Sequence, residues 1–122
     1  MAPGDPGGDE ARAIFDRAAF ERQTGGDASL CAEIVQMFLE DCPVRVGEIR
    51  AAVERGDAAA LVSSAHALKG SAAYLSASIV LGRAGDLERL GREQTLTGAP
   101  AVLAALEAAV AALTAELHKF TS

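Results

Sequence analysis

The chain has 122 residues, enough for one domain, and half of them are apolar. Ala (27) and Leu (13) far outnumber Val (8) and Ile (4), and only 5 residues are aromatic, so composition favours helices over strands and excludes collagen-like, disulfide-rich and wholly disordered classes. The net charge of -6, half of it on Asp5, Asp9 and Glu10, argues against a nucleic-acid surface and leaves the body only mildly acidic.

Residues 1–9 hold Pro3, Pro6 and three glycines and are expected to form a disordered tail or linker. The domain proper is expected over 10–120. A short helix over 10–22 would present Ile14 and Phe15 on one face and stop at Gly25-Gly26. Asp27 is a suitable N-cap for a second helix over 28–55, whose apolar positions are Leu30, Cys31, Ile34, Val35, Phe38, Cys42, Val46, Ile49 and Val53. Pro43 interrupts that pattern without changing its phase, so a kink is expected rather than a stop. Gly56 and Asp57 then close one helix and cap the next.

The third helix is expected over 58–75, with Leu61, Ala65, Leu68, Ala72 and Leu75 spaced 4, 3, 4 and 3 apart as a narrow seam. Ser76 and Ser78 mark a short turn, and Ser76 is able to cap the helix that follows. A fourth helix over 78–92 carries Val80, Leu81, Ala84, Leu87 and Leu90. After the longest loop, Gly91 to Pro100, a fifth helix presents Leu103, Leu106, Val110, Leu113 and Leu117. The fold expected is all-α: an antiparallel up-down four-helix bundle with a short extra N-terminal helix at one end. Four helices close one core, so a monomer is expected.

Cys31 and Cys42, on one helix, would stand ~16.5 Å apart along its axis, beyond the reach of a disulfide. Two buried free thiols suit a reducing compartment. No apolar run reaches the roughly 18 residues that span a membrane, and the N-terminus lacks the basic start and apolar stretch of a secretory signal. A cytoplasmic protein without membrane contact is expected.

Two histidines are present. His118 falls in the last helical turn, where a cation meets the negative end of the helix, and is expected to be a surface residue. His66 falls off the buried stripe of its helix, on a face with Val62, Lys69, Gly70 and Ala73. Lys69, at i+3, can reach the space around the imidazole. Gly70, at i+4, costs ~1 kcal/mol of helix propensity relative to alanine, so close approach of another molecule is a reason for it. A nucleophile, a cation and a steric gap on one exposed face suit an anionic electrophile brought by a partner.

The segment Ala65-His66-Ala67-Leu68-Lys69-Gly70-Ser71-Ala72 resembles the phosphoacceptor motif of histidine-containing phosphotransfer (HPt) domains. Gly25-Gly26-Asp27, Phe38-Leu39-Glu40-Asp41 before Pro43, Gly56-Asp57 and Leu87-Glu88 are similar to that family's landmarks. Leu75-Ser76-Ala77 departs from the family's frequent Leu-Gly-Ala. The resemblance implies that His66 accepts a phosphoryl group, that Lys69 stabilises phosphate oxygens and that Gly70 keeps the approach open. It implies no cofactor of this chain's own, with Mg²⁺ on the partner. That partner would be a receiver domain of a response regulator or hybrid histidine kinase, met through Val62, Ser63 and Ala73. Neutral imidazole, with a reference pKa of ~6.5, is a competent nucleophile for an acyl phosphate.

Four rival readings are weighed on the residues. A sensor-kinase dimerisation helix would show an acid directly after the histidine, where Ala67 stands, and no nucleotide-binding segment is evident. The chain could be a phosphoacceptor domain of a larger hybrid or chemotaxis-type kinase. A di-iron bundle would need Glu three residues before each histidine, which neither has, and a helical adaptor without phosphotransfer is the plainest alternative.

Overall fold

Aspartates start three of the helices. In the computed structural model, which describes residues 12–121, Asp16 caps α1 (Arg17–Gln23), Asp27 caps α2 (Ala28–Arg55) and Asp57 caps α3 (Ala58–Tyr74). Each carboxylate accepts a 3.0 Å hydrogen bond from the backbone N–H three residues on. α4 (Ser78–Arg92) and α5 (Ala99–Thr121) complete the set, and no strand occurs among the described residues. The expected tail over 1–9 and the first residues of the expected 10–22 helix lie outside the described residues. Within them, that helix is divided: 12–14 are helical, Phe15 and Asp16 are not, and α1 starts at Arg17. The Asp16 N–H leaves its own helix to bond the Ser76 carbonyl at 3.0 Å, which pins this segment to the end of α3.

The helix ends share one closure. After α2, α3 and α4, the residues Gly56, Ser76 and Gln94 adopt left-handed φ of 65°, 58° and 56°. The next N–H then reaches back to the helix, as in Asp57 to Ala52 at 2.9 Å, Ala77 to Ala72 at 2.9 Å and Thr95 to Leu90 at 3.1 Å. Ser76 therefore does not cap the following helix as expected. The N-cap of α4 is Ala77, which makes no side-chain bond, because Ser76 is spent on turning the chain. α2 runs without a break through Pro43.

The helices pack in a ring, α2 on α3, α3 on α4, α4 on α5 and α5 back on α2. The seam residues Leu61, Ala65, Leu68 and Ala72 of α3 and its C-cap Leu75 are all buried, as are Leu103, Leu106, Leu113 and Leu117 of α5. Each such leucine contributes ~1.5–3 kcal/mol by leaving water. At one end Phe15, Phe20 and Phe120 stack with ring centroids 5.7–5.9 Å apart, and Arg17 lies 4.6 Å over the Phe120 ring. The N-terminal segment thus closes that end of the bundle. Cys31 and Cys42 are both buried and free, and burial pushes the Cys42 thiol up to about 11, with Asp41 adding to the shift. By length and composition alone α5 could cross a membrane, although Glu107 and Glu116 break its apolar stretches into runs shorter than a span. Its leucine stripe is instead committed to the bundle core.

Candidate functional site

The 3.6-residue repeat of α3 turns Ala65 and Leu68 inward and His66 outward, leaving the imidazole 64% exposed. Gly70, one turn on, is exposed as well. A Cβ placed there would meet nothing within 4 Å, so packing does not demand glycine at this position. Lys69 does not project freely into water. It is half-buried and turned toward α4.

The reason lies on α4. Glu88 follows the buried Ala84 by one turn and precedes the buried Gly91, so the helix carries a carboxylate inward, and that side chain is only 5% exposed. It meets three groups. His66 Nδ1 is 2.9 Å from Oε2, Arg92 Nη2 is 2.6 Å from the same oxygen, and Lys69 Nζ is 2.6 Å from Oε1. The Lys69 contact is ionic and lies off the alignment of a hydrogen bond. Lys69 above all, then Arg92, holds the carboxyl down to about 2, with burial opposing and His66 adding a smaller part. Glu88 is therefore an anion at neutral pH and can only accept. In the neutral ring the proton must sit on Nδ1, which leaves the lone pair on Nε2. Two cations around one carboxylate leave the surroundings of that nitrogen positive.

On its other flank His66 borders a groove of about 950 Å³ between α2 and α3, lined by Ile34, Met37, Phe38 and Val44 of α2 and Gly70 and Tyr74 of α3. Met37, Val44 and Tyr74 are 68%, 57% and 55% exposed. Leu30, expected to face the core, is 39% exposed and heads the same line, since Leu30, Met37 and Val44 are seven residues apart. These four are the large exposed hydrophobic residues of the described chain. Glu40 and Asp41 edge the groove.

An outward histidine on a four-helix bundle is what the sequence resemblance implies, and likeness to known proteins bears on the family and the fold. The Hpt domain family model matches residues 33–116, more than half of the chain. This chain belongs to the Hpt domain family. It is a histidine phosphotransfer module of a phosphorelay. The crystal structure of histidine-containing phosphotransfer protein B from Pseudomonas aeruginosa is similar at 25% identity and a TM-score of 0.81, over 86% of this chain and 91% of that one. The HPT domain of a sensor hybrid histidine kinase from Shewanella shares the fold at 18% identity and a TM-score of 0.79, over 88% of this chain and 93% of that one. No curated protein matches the chain.

Within this Hpt domain the residues singled out from sequence are distributed unevenly. His66, Lys69 and Gly70 stand together at the site. Ser63 and Ala73 are exposed on the His66 helix but are not among the groove's lining residues. Val62 is half-buried, and its methyl faces Gly91 of α4. Sequence reading missed the roles of Glu88 and Arg92 and the groove residues Met37, Val44 and Tyr74. Two signals were available: an acid on the inward stripe of α4, and a second heptad of apolar residues on α2 outside the core stripe. Among the described residues no group of three or more His, Cys, Asp or Glu side chains could hold a metal ion.

Proposed function

We propose that His66 Nε2 of this Hpt domain accepts a phosphoryl group from the aspartyl phosphate of a receiver domain and passes it to another receiver aspartate. In the forward step the Nε2 lone pair forms the N–P bond as the P–O bond to the aspartate breaks. The leaving carboxylate takes that electron pair. The ring keeps its Nδ1 proton and becomes cationic, and the Glu88 anion at 2.9 Å stabilises that charge. Lys69 lies within reach of the incoming phosphate oxygens, and Arg92 adds a second cation beside it. Mg²⁺ would be held by the partner receiver, which supplies most of the charge neutralisation for phosphoryl transfer. The receiver would seat on the α2–α3 groove, whose exposed apolar side chains adjoin the nucleophile. The domain acts as a cytoplasmic monomer in this reading, with one closed core.

The single observation that carries this function is the exposed imidazole whose Nδ1 is tied to an ionised, buried carboxylate. The test mixes the protein with a ³²P-labelled receiver and Mg²⁺ and looks for acid-labile, alkali-stable label on this chain. His66→Gln is expected to abolish labelling while shifting stability by no more than ~0.5 kcal/mol, as exposed substitutions usually do. Label on the His66→Gln protein, or label mapped to His118, would overturn the assignment.

A further inference from the structure

α3 and α4 are the most extensively packed pair of helices in the bundle. At one point between them there is no room for any side chain. A Cβ on Gly91 would lie 2.8 Å from Val62 Cγ2, 3.0 Å from the Ala58 carbonyl oxygen and 3.3 Å from Val62 N. A β-branched valine on a helix is held to essentially one χ1 rotamer, so its methyl does not simply turn aside. The two backbone atoms can give way only if the helices separate. The other glycines of α4 are unlike it: a Cβ on Gly82 would meet nothing within 4 Å, and one on Gly85 would make an ordinary 3.6 Å contact with Lys69 Cδ.

The position of this tight crossing matters. The helices run antiparallel, so one turn along the interface takes Val62 to His66 and Gly91 back to Glu88. The Nδ1 hydrogen bond, at 2.9 Å, is therefore made one turn from the place where α3 and α4 pack too closely to admit a Cβ on Gly91. A 2.9 Å bond has only a few tenths of an ångström to spare before it weakens, and a Cβ at position 91 asks for a shift of that order.

We propose that Gly91 is a positioning residue. By letting α4 lie directly against α3, it keeps Glu88 within reach of His66 Nδ1 and so keeps the proton off the nucleophilic Nε2. This rests on His66 being the phosphoacceptor. Gly91→Ala would move α4 away, weaken the Glu88 bond and let the ring proton redistribute to Nε2, where it blocks attack.

The test reads the ring nitrogens of His66 by ¹⁵N NMR in the intact, unphosphorylated protein. The wild type is expected to show a protonated Nδ1 and an unprotonated Nε2. Gly91→Ala is expected to shift the population toward Nε2–H and to slow receiver-dependent labelling about tenfold. Adding Val62→Ala, which removes the 2.8 Å contact and leaves the backbone ones, is expected to restore both in part. Gly82→Ala on the same helix is expected to leave both at wild-type values. A folded Gly91→Ala protein with wild-type ring-nitrogen shifts overturns the proposal. If Gly91→Ala does not fold, the Val62→Ala/Gly91→Ala protein is compared with Val62→Ala alone, and identical ring shifts overturn it. Failure of both Gly91 variants to fold makes the residue one of stability only and overturns the positioning role as well. The tautomer measurement needs no phosphoryl donor. A wild-type protein that never accepts label would therefore count against the phosphotransfer reading and leave the geometry to be judged by the spectrum.

Discussion

The two flanks of α3 are built on opposite principles. Toward α4 the contact is tight and ionic: Glu88, nearly out of reach of water, ties His66, Lys69 and Arg92 within 2.6–2.9 Å. Toward α2 the surface falls away into an open groove with Met37, Val44 and Tyr74 left more than half exposed. Under the proposed function the contrast matches two different tasks. A nucleophile must be held in one tautomer, and a charge-assisted hydrogen bond shielded from water does that well. A partner must arrive and leave, and apolar contacts that each gain ~1.5–3 kcal/mol on burial give affinity without fixed ion pairs to break.

The largest effect is expected from spoiling the open flank. Met37→Asp together with Tyr74→Asp removes two apolar anchors, each worth roughly tenfold to a hundredfold in affinity. Receiver binding by calorimetry is expected to weaken at least a hundredfold, while the His66 ring nitrogens and the melting temperature stay near wild type. Unchanged binding would move the docking surface off α2.

Gly70 lines the open flank, one turn from His66. Gly70→Leu adds a side chain that points back along the helix toward His66, in the space the phosphoryl group must enter to within ~3–3.5 Å of the ring. Labelling is expected to slow about a hundredfold although the protein melts higher, since even Gly70→Ala gains up to ~1 kcal/mol of helix propensity in a site where its Cβ meets nothing within 4 Å. Normal transfer by the leucine variant would remove the steric role.

Breaking the closed flank is expected to cost less. Glu88→Ala removes the acceptor for Nδ1 and is expected to slow labelling tenfold to a hundredfold, the range of a hydrogen bond to a charged group worth ~1.5–3 kcal/mol. Lys69→Ala, which spares that acceptor, is expected to cost about tenfold. The same carboxylate also predicts an acid response. Its folded pKa of about 2 lies below the ordinary 4.5, so its stabilising contribution is complete above about 4.5 and is lost as pH falls toward 2. Acid unfolding of wild type and Glu88→Ala is therefore expected to converge across that window. A constant gap between the two would sever the ion cluster from stability.

The smallest effect belongs to neither flank and calibrates the rest. Ser76 holds a left-handed φ of 58° at the end of α3. Ser76→Gly is expected to stabilise by about 1 kcal/mol by relieving the Cβ, with transfer unchanged. A loss of stability in thermal melts would mean that the serine contributes more than its backbone conformation costs.

Much of this was legible in the chain of residues. Asp27 and Asp57 announce helix starts because a short acid side chain can meet a free N–H three residues on, and Gly56 announces an end because it needs no Cβ in a left-handed turn. The 4, 3, 4, 3 spacing from Leu61 to Leu75 encodes a buried stripe, and by the same arithmetic it turns His66 outward, with Lys69 and Gly70 beside it. Ser76 and Gln94 do at their helix ends what Gly56 does; beyond the glycine that the resembled family often has at position 76, residue type gave no warning of it, because the strain is tolerated only where the fold already dictates the turn.

What crosses between helices was decided by the tertiary structure alone. Glu88 is 22 residues from His66, and the short turn that makes their helices neighbours does not state that this acid meets this imidazole. The glycine at position 91 looks like a loop signal until α3 is seen against it. Leu30 looks like a core residue until its partners Met37 and Val44 prove to face water. Periodicity along one helix depends on backbone geometry that every residue shares, so sequence carries it directly. The separation and rotation of two packed helices depend on all the side chains between them at once, and only the assembled fold sets how near an acid on one comes to an imidazole on the other.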